Sequence, residues 1–274
     1  MFDASHARPA HSLLQDRAFA TAVMLCGQTP VILPSGLTLF RRRLAGVPLL
    51  MLPRADPPPD LPAQLAQASL QRQPLILSPE RPCALPRVIP IAAARKVFHV
   101  NLSPPQATRR AALHQNWRHQ LGQAEASPLR VLHRPLSPDH PLLALEAKQA
   151  SSQRYQSWPT ALTSAFAQTS PDQTHLFTAL LRGHPVAYML FLTHGSAATY
   201  HIGHSTAMGR TTRAHNLLLW QAMNALADRG IRSLDLGVET TPEIDRFKRR
   251  AGASVHTTGG TWLRWTPLAQ NRCA

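Results

Sequence analysis

Residues 215–253 read HNLLLWQAMNALADRGIRSLDLGVETTPEIDRFKRRAGA, and this stretch decides the fold class. Its first half places Leu218, Ala222 and Leu226 four residues apart, the spacing of one helix face, and Gly230 stands where that helix would end. The apolar run that follows predicts a short strand ending at Gly237, and Pro242 suits the first turn of another helix. The stretch therefore predicts a helix, a strand and a helix in succession.

Three short apolar segments precede this stretch. Residues 174–181, 185–193 and 198–205 are rich in strand-forming side chains, and the turns RGH and HGSA separate them. They predict a three-stranded antiparallel meander. The segment GTWLRW, residues 260–265, predicts a last strand, so the expected order from the meander onward is β-β-β-α-β-α-β.

The segment PQATRRAALHQNWRHQLGQAEAS predicts one long helix upstream of the meander. Leu113, Trp117 and Leu121 lie four residues apart on one face of this helix. A second face carries three residues at the same spacing, Arg110, His114 and Arg118, which either meet an anion or are solvated. The first hundred residues are rich in proline and predict a smaller α/β unit of short strands.

The chain has 274 residues, of which 44% are hydrophobic, enough for one large core or two smaller ones. It contains no run of about 18 apolar residues and no signal-peptide pattern, which predicts a cytoplasmic protein without integral membrane association. Cys26, Cys83 and Cys273 are widely spaced and lack a C-x-x-C pair, so neither a disulfide framework nor a zinc site is indicated. The histidines show no metal-ligand spacing, and we predict no metal.

The formal net charge is +15, which favours an anionic ligand. Only three of the 29 basic residues are lysines, and the chain holds 25 prolines, a bias typical of a GC-rich genome. The arginines are scattered along the whole chain rather than clustered. The charge is therefore consistent with a nucleotide-bearing donor, RNA or an acidic cell-wall precursor, and it does not choose among them.

Two segments resemble the FemAB-like branch of the GNAT acyltransferase superfamily, which includes peptidoglycan-bridge aminoacyltransferases and BioF2-like acetyltransferase domains. Residues 98–127 are similar to the strand and long helix of that branch, and residues 215–253 to its closing helix, strand, FK and GA elements. The resemblance spans about residues 97–264. It implies a bacterial α/β protein whose GNAT-like mixed sheet has flanking helices.

The resemblance also implies two tandem GNAT-like subdomains, of which the first is abbreviated. We expect the N-terminal subdomain in residues 1–102 and the C-terminal FemAB-like acyltransferase subdomain in residues 103–274.

The catalytic residues follow from the FK motif of this family, which Phe247 and Lys248 occupy. The lysine would stabilise the oxyanion of the tetrahedral intermediate, and one positioned donor contributes about 3 kcal/mol to such a step. The alternative is a surface lysine beside Arg249 and Arg250. A general base must deprotonate the amine, and four acids near the end of the strand LDLG could serve directly or through water: Asp235, Glu239, Glu243 and Asp245. Asp235 is our candidate; its alternative role is a structural acid bonded to the backbone or to a neighbouring arginine.

The donor site is expected between the meander and the main helix. Family members that bind acetyl-CoA carry Q/R-x-x-G-x-G/A there, so that backbone N–H groups and the helix N-terminus hold the pyrophosphate. Here the stretch is STAMGRTTRAHN, with Arg213 where the central glycine would fall. We predict that Arg210, Arg213 and Asn216 bind the donor.

The acceptor site is implied in the loop QASSQRYQSWP. Arg154, Tyr155 and Trp158 lie in this loop and are predicted to contact the acceptor, together with Glu239 after the LDLG strand. For Trp158 the alternative is ordinary packing.

The leading hypothesis is an N-acyltransferase that acts on a small-molecule or peptide-like amine, with no tightly bound cofactor. Its co-substrate is acyl-CoA or aminoacyl-tRNA, which would make tRNA a partner; no DNA is expected, and the oligomeric state stays open. One alternative is a non-catalytic GNAT-fold protein that binds RNA or an acidic metabolite, and a third is a nucleic-acid module driven by charge alone. Lys248 discriminates between the first two, since a side chain that projects into the cleft between the subdomains near an acid favours catalysis, and one that points to bulk solvent favours binding.

Overall fold

The computed structural model describes residues 12–44 and 46–265. They form two compact units. The N-terminal unit consists of residues 14–96 together with the described residues from 257 onward. The C-terminal unit consists of residues 97–256 together with residues 12 and 13.

The N-terminal unit is a mixed sheet with two helices. In chain order its elements are α1 (Arg17–Leu25), β1 (Val31–Ile32), β2 (Thr38–Leu44), β3 (Val47–Pro53), α2 (Leu61–Gln67), β4 (Leu75–Ser78), β5 (Ile89–Ala92) and β13 (Thr261–Arg264). The strand order is β1-β2-β3-β4-β13-β5, with β3 and β4 parallel and the other pairs antiparallel. Leu50, Leu52, Leu75 and Leu77 alternate along β3 and β4 into the core, where α2 adds Leu65.

The C-terminal unit is larger. Its elements are β6 (Lys96–Asn101), α3 (Gln106–Ala112), α4 (Gln115–Ala126), β7 (Leu129–Arg134), α5 (Leu142–Gln153), α6 (Thr160–Thr169), β8 (Thr174–Leu181), β9 (His184–His194), β10 (Ala197–Ser205), α7 (Ala207–Thr211), α8 (Ala214–Ala227), β11 (Ser233–Val238), α9 (Pro242–Arg250) and β12 (Ser254–Thr257).

A seven-stranded mixed sheet organises this unit, in the order β12-β6-β11-β10-β9-β8-β7. β10 and β11 are parallel, whereas β11 pairs antiparallel with β6, and β7 to β10 form an antiparallel succession. Helix α8 is apolar on nearly every side and packs into the largest core with Trp117 and Leu121 of α4 and Phe98 of β6. The two mixed sheets with flanking helices confirm the predicted fold class.

The deciding stretch folds as the sequence predicts. The meander is β8, β9 and β10, and helix, strand and helix follow as α8, β11 and α9. Gly230 takes a left-handed backbone with φ of 82° after α8 ends, which a residue with a side chain rarely adopts. Pro242 begins α9, where the hydroxyl of Thr241 accepts a hydrogen bond from the N–H of Ile244.

The prediction of one long helix upstream of the meander is wrong. Leu113 is extended, with ψ of 141°, and divides the segment into α3 and α4. His114 then caps α4, because its Nδ1 accepts a hydrogen bond from the N–H of Asn116 at 3.2 Å. Because of this interruption, Arg110, His114 and Arg118 do not share one helix face. Arg110 donates to both carboxylate oxygens of Glu125, and Arg118 donates to a backbone carbonyl.

The last strand lies in a different sheet from the one the sequence suggested. β13 pairs with β4 and β5 in the N-terminal unit, and β12 closes the sheet of the C-terminal unit. The C-terminal unit includes Val97, because β6 pairs with β11, whereas we expected the C-terminal subdomain from residue 103. The N-terminal unit is therefore built from residues near both ends of the described chain.

None of the helices in the described residues has the length and hydropathy that crossing a membrane requires.

Candidate active site

The parallel strands β10 and β11 part from one another at mid-strand. They pair only at Ala197 with Ser233, Ala198 with Leu234, and Thr199 with Asp235. Beyond that point β10 gains an extra residue against β9, since Tyr200 and Ile202 face consecutive partners. Such a bulge bends its strand and redirects side chains. The pairing of the two strands therefore stops before their carboxyl ends. Beyond that point Val238 of β11 contacts Lys248, and His201 of β10 contacts Trp158.

Lys248 lies at the carboxyl end of β11. Its side chain is only 5% exposed, and its ammonium donates a hydrogen bond to the carbonyl oxygen of Val238 at 2.7 Å. The same nitrogen lies 5.1 Å from the ring centre of Phe98. The ring of Phe247, 5.9 Å from that of Trp117, anchors α9 on the core. The chain therefore buries this ammonium, rather than leaving it on the surface with Arg249.

Asp235 is held by its own strand. Its carboxylate accepts a hydrogen bond from the N–H of Gly237 at 2.6 Å and lies 3.8 Å from Nε2 of His99 on β6. Gly237 has φ of 81°, so β11 turns where the carboxylate folds back on it. Glu239 follows directly after β11 and is half-buried. The contacts of Asp235 agree with the structural alternative, and its role as base stays a prediction.

The expected donor residues lie around the start of α8. Arg213 precedes the helix and adopts a left-handed backbone with φ of 56°, the conformation that a glycine would favour. Arg210 is exposed, and its guanidinium donates to the carbonyl of Ser205 at 2.8 Å. Asn216 is buried, with its amide 3.5 Å from Gln120 of α4. The structure thus brings Arg210 and Arg213 to the surface at the helix N-terminus and turns Asn216 inward.

Two of the expected acceptor residues share a cavity of about 160 Å³ in the C-terminal unit. Tyr155 and Trp158 line it, and the Trp158 ring lies 4.3 Å from the ring of His201, the extra residue of the β10 bulge. Nε2 of His201 is 3.0 Å from the hydroxyl of Thr163 on α6. Arg154 ends α5 in a left-handed conformation and is exposed, outside the cavity lining.

Glu146 is a site residue that the motif-based predictions missed. It lines the same cavity, is 8% exposed, and accepts a hydrogen bond from the hydroxyl of Tyr155 at 2.9 Å. Burial raises the pKa of Glu146, the direction that suits a general base. Its sequence signal is position: Leu142, Glu146 and Ala150 are four residues apart on the buried face of α5.

Gln149 joins this cavity to β10. Its amide nitrogen donates to the hydroxyl of Tyr155 at 3.1 Å and to the carbonyl of Gly203 at 3.3 Å, while its oxygen lies 3.1 Å from Nδ1 of His204. Burial is the first cause that raises the pKa of Tyr155, to about 12. Burial also lowers the pKa of His201 to about 4. Near neutral pH the tyrosine is therefore a hydrogen-bond donor and the histidine is uncharged.

Residues 107–249, more than half of the chain, match the family model described as an acetyltransferase (GNAT) domain. The chain belongs to the GNAT acetyltransferase-domain family. The matched region of this GNAT chain runs from α3 into α9 and contains every site residue discussed above. No curated protein matches the chain in sequence.

Solved structures extend the likeness to both units of the GNAT chain. FemX superposes with a TM-score of 0.74 at 11% identity, over 95% of this chain and 94% of FemX. The C-terminal domain of a protein named as a lysylphosphatidylglycerol synthetase, from Agrobacterium fabrum, gives 0.59 at 13% identity over 92% of this chain and 88% of its own. L-PGS from Bacillus licheniformis gives 0.57 at 9% identity, with coverage of 92% and 88%. The resemblance to the FemAB-like branch is thereby confirmed for the fold.

Proposed function

We propose that this GNAT chain is an N-acyltransferase that transfers an acyl group from acyl-CoA, or in second place from aminoacyl-tRNA, to an amine. One observation carries the proposal: a buried lysine ammonium stands at the carboxyl end of β11, where β10 and β11 part. A non-catalytic binding protein has no need to bury that charge, whose desolvation is costly.

The buried ammonium suits the developing charge of acyl transfer. When an amine attacks a thioester or ester, the carbonyl oxygen becomes negative, and a positioned cation in a dry site stabilises it far better than water does. Lys248 has three N–H donors, one of which the carbonyl of Val238 fixes in direction. We assign Lys248 to the oxyanion and Phe247 to holding α9 in place.

The donor is proposed to place its phosphates at the start of α8. Arg210 and Arg213 are exposed there, and the first N–H groups of a helix favour an anion. The left-handed backbone of Arg213 keeps the turn that a glycine would make, while its side chain adds a positive charge. Acyl-CoA and aminoacyl-tRNA both carry phosphates, so the arginines support an anionic carrier of either kind.

The acceptor is proposed to approach from the loop that follows α5. Tyr155 and Trp158 would contact it in the cavity, with Arg154 and Glu239 at the periphery. A small-molecule or peptide-like amine is the acceptor class that an acyl transfer of this type requires.

The function is tested with Lys248→Ala and Lys248→Met, and with Lys148→Ala as the control at an exposed lysine. Acetyl transfer from acetyl-CoA to a panel of primary amines is followed by release of the free thiol, and acetyl-CoA affinity is measured separately. We expect kcat to fall by about 100- to 1,000-fold in both Lys248 variants, because one oxyanion donor is lost. Donor affinity should stay within about two-fold of wild type, since the lost interaction forms mainly in the transition state.

Unchanged turnover in folded Lys248 variants contradicts the assigned role. Native mass spectrometry of the purified protein addresses the donor, because a retained CoA species or a retained tRNA has a characteristic mass. If wild type binds an anionic ligand but transfers no acyl group from either donor to any amine, the non-catalytic alternative replaces this proposal.

A further inference from the structure

The cavity beside α5 differs in charge from the rest of this basic chain. The described residues that line it include one acid, Glu146, and no lysine or arginine. His201, the one histidine among them, is uncharged near neutral pH because burial lowers its pKa to about 4. In a protein with a net charge of +15, this small cavity is therefore negative when Glu146 is ionised.

Such a cavity selects a cation. Burying a carboxylate away from water is unfavourable unless a positive partner or hydrogen bonds compensate it. Tyr155 donates one hydrogen bond to Glu146 at 2.9 Å, and a carboxylate has room for several more. A ligand ammonium would supply the missing charge, whereas a ligand carboxylate or phosphate would be repelled.

The walls of the cavity also suit an ammonium. Trp158 lines the cavity beside His201, with ring centres 4.3 Å apart, and an aromatic ring attracts a cation. The hydroxyl of Thr163 binds Nε2 of His201 and so holds that ring in one orientation. The cavity lining therefore offers a ligand both a carboxylate, from Glu146, and an aromatic ring, from Trp158.

The volume of the cavity limits which ligands it can hold. Pockets for whole drug-sized molecules are about 300–1,000 Å³, and this cavity is about 160 Å³. It therefore accepts the terminus of a ligand and not an entire nucleotide. A slender alkyl chain ending in an ammonium matches both the volume and the charge.

We propose that this cavity binds the terminal ammonium of an unbranched primary alkylamine, and that Glu146 is the general base that takes its proton. The inference rests on the proposed acyl-transfer function, names the acceptor class for it, and assigns the base to Glu146 in place of Asp235, whose carboxylate accepts a hydrogen bond from its own strand. Tyr155 touches the base and Gln149 fixes Tyr155, so both are positioning residues for Glu146.

The proton and electron balance is simple. The ammonium gives one proton to the carboxylate of Glu146, and the nitrogen lone pair then forms a bond to the carbonyl carbon of the donor. The carbonyl–sulfur bond of an acyl-CoA, or the carbonyl–oxygen bond of an aminoacyl ester, breaks and takes its electron pair to the leaving group. The second nitrogen proton neutralises that thiolate or alkoxide, and Glu146 returns its own proton to water.

Binding is tested without any acyl donor. n-Butylammonium, n-butanol and butyrate are titrated by calorimetry into wild type, into Glu146→Gln and into Asp172→Asn, which removes the same charge at an exposed acid. We expect saturable binding of n-butylammonium to wild type and to Asp172→Asn, and binding at least about ten-fold weaker to Glu146→Gln, because a charge-assisted hydrogen bond is lost. Butyrate should not bind.

Any of three results overturns the proposal. The first is that n-butylammonium shows no saturable binding to wild type, and the second is that it binds Glu146→Gln as tightly as wild type. The third is that butyrate binds wild type as tightly as n-butylammonium does. If Glu146→Gln fails to fold, Trp158→Leu carries the test: loss of the aromatic wall should weaken n-butylammonium about five-fold, and unchanged affinity contradicts the site.

Failure of this inference and failure of the proposed function give different results. If n-butylammonium binds through Glu146 but no donor reacts in wild type, the function fails and the ammonium site stands. If wild type acetylates n-butylamine and Glu146→Gln does so at the same rate, the function stands and the role of Glu146 fails. Lys248→Met should bind n-butylammonium normally while losing transfer.

Discussion

At the scale of single residues, the site depends on two buried charges of opposite sign. The ammonium of Lys248 is compensated by the carbonyl of Val238 and the ring of Phe98, and the carboxylate of Glu146 by the hydroxyl of Tyr155. Burial strengthens the electrostatic interaction of either charge with a ligand, because less water screens it.

Gly209 allows α7 to approach β9 closely, because a Cβ there would lie 2.3 Å from the carbonyl oxygen of Val186. We expect Gly209→Ala to lower the free energy of unfolding by about 1–3 kcal/mol, since a backbone carbonyl in a paired strand cannot move aside. Gly122→Ala is the matched control, in the middle of α4 with no atom within 4 Å of the added carbon. It should stabilise by about 0.5–1 kcal/mol.

Chemical denaturation of both glycine variants provides the measurement. Equal effects of the two substitutions would contradict the close approach of α7 to β9.

At the scale of elements, the break between α3 and α4 shows how tertiary contacts override local propensity. The N–H of His114 donates to the carbonyl of Arg250 at the end of α9, at 3.0 Å. The chain must leave helical geometry at Leu113 to make that bond. Nothing in the helical spacing of the segment indicates it, because the partner is more than a hundred residues away in sequence.

At Arg213, in the turn before α8, the effect of the left-handed backbone on stability can be separated from the effect of the side chain on donor binding. Arg213 and Arg182 both have left-handed backbones, with φ of 56° and 51°, and both are exposed. Replacement of either by glycine relieves backbone strain but adds freedom to the unfolded chain, so stability should stay within about 1 kcal/mol of wild type.

Only Arg213→Gly should weaken binding of the acyl donor. We expect its KM for acetyl-CoA to rise about ten-fold, because one charge-assisted contact to phosphate is lost, while Arg182→Gly leaves KM unchanged. Steady-state kinetics at fixed ionic strength measure both values. Equal KM values for the two variants would exclude Arg213 from the donor site.

At the scale of the whole molecule, buried histidines should couple stability to pH. His175 is 7% exposed, and burial, followed by the charges of His133 and Arg229, lowers its pKa to about 4. The folded pKa lies below the unfolded value of about 6.5, so the unfolded chain binds the proton more readily. The stabilisation is therefore complete above about pH 6.5 and is lost as the pH falls toward 4.

We expect the free energy of unfolding of the C-terminal unit to fall by on the order of 3 kcal/mol over this window through His175 alone. His201 acts in the same direction, because its pKa is also lowered to about 4. The raised pKa of Glu146 acts in the opposite direction, with stabilisation lost as the pH rises. Denaturant unfolding between pH 7.5 and 4 measures the summed effect of these groups on the free energy of unfolding.

A histidine variant separates the contribution of His175 from the rest. His175→Gln should flatten the pH dependence, and His184→Gln, at an exposed position, should not. A steeper dependence in His175→Gln would contradict the assignment.

Much of the C-terminal unit follows from its sequence. The meander, α8, β11 and α9 are encoded by local patterns of apolar spacing, glycine stops and a proline start, and each pattern acts within about fifteen residues. The FK residues could be found because they form a contiguous motif. Glu146 could not be found by motif, because its function depends on a tyrosine nine residues later and on a bulge in β10.

By itself, the sequence determined the fold family, the order of elements from the meander to α9, and the FK pair of Phe247 and Lys248, because these depend on short-range periodicity, turn chemistry and a contiguous motif. Only the tertiary structure decided that β13 completes the sheet of the N-terminal unit, that α3 and α4 are separate, and that an acid lies beside Tyr155 and Trp158. The physical reason is that strand partners and buried polar contacts are chosen by long-range packing and desolvation, which residue spacing does not record.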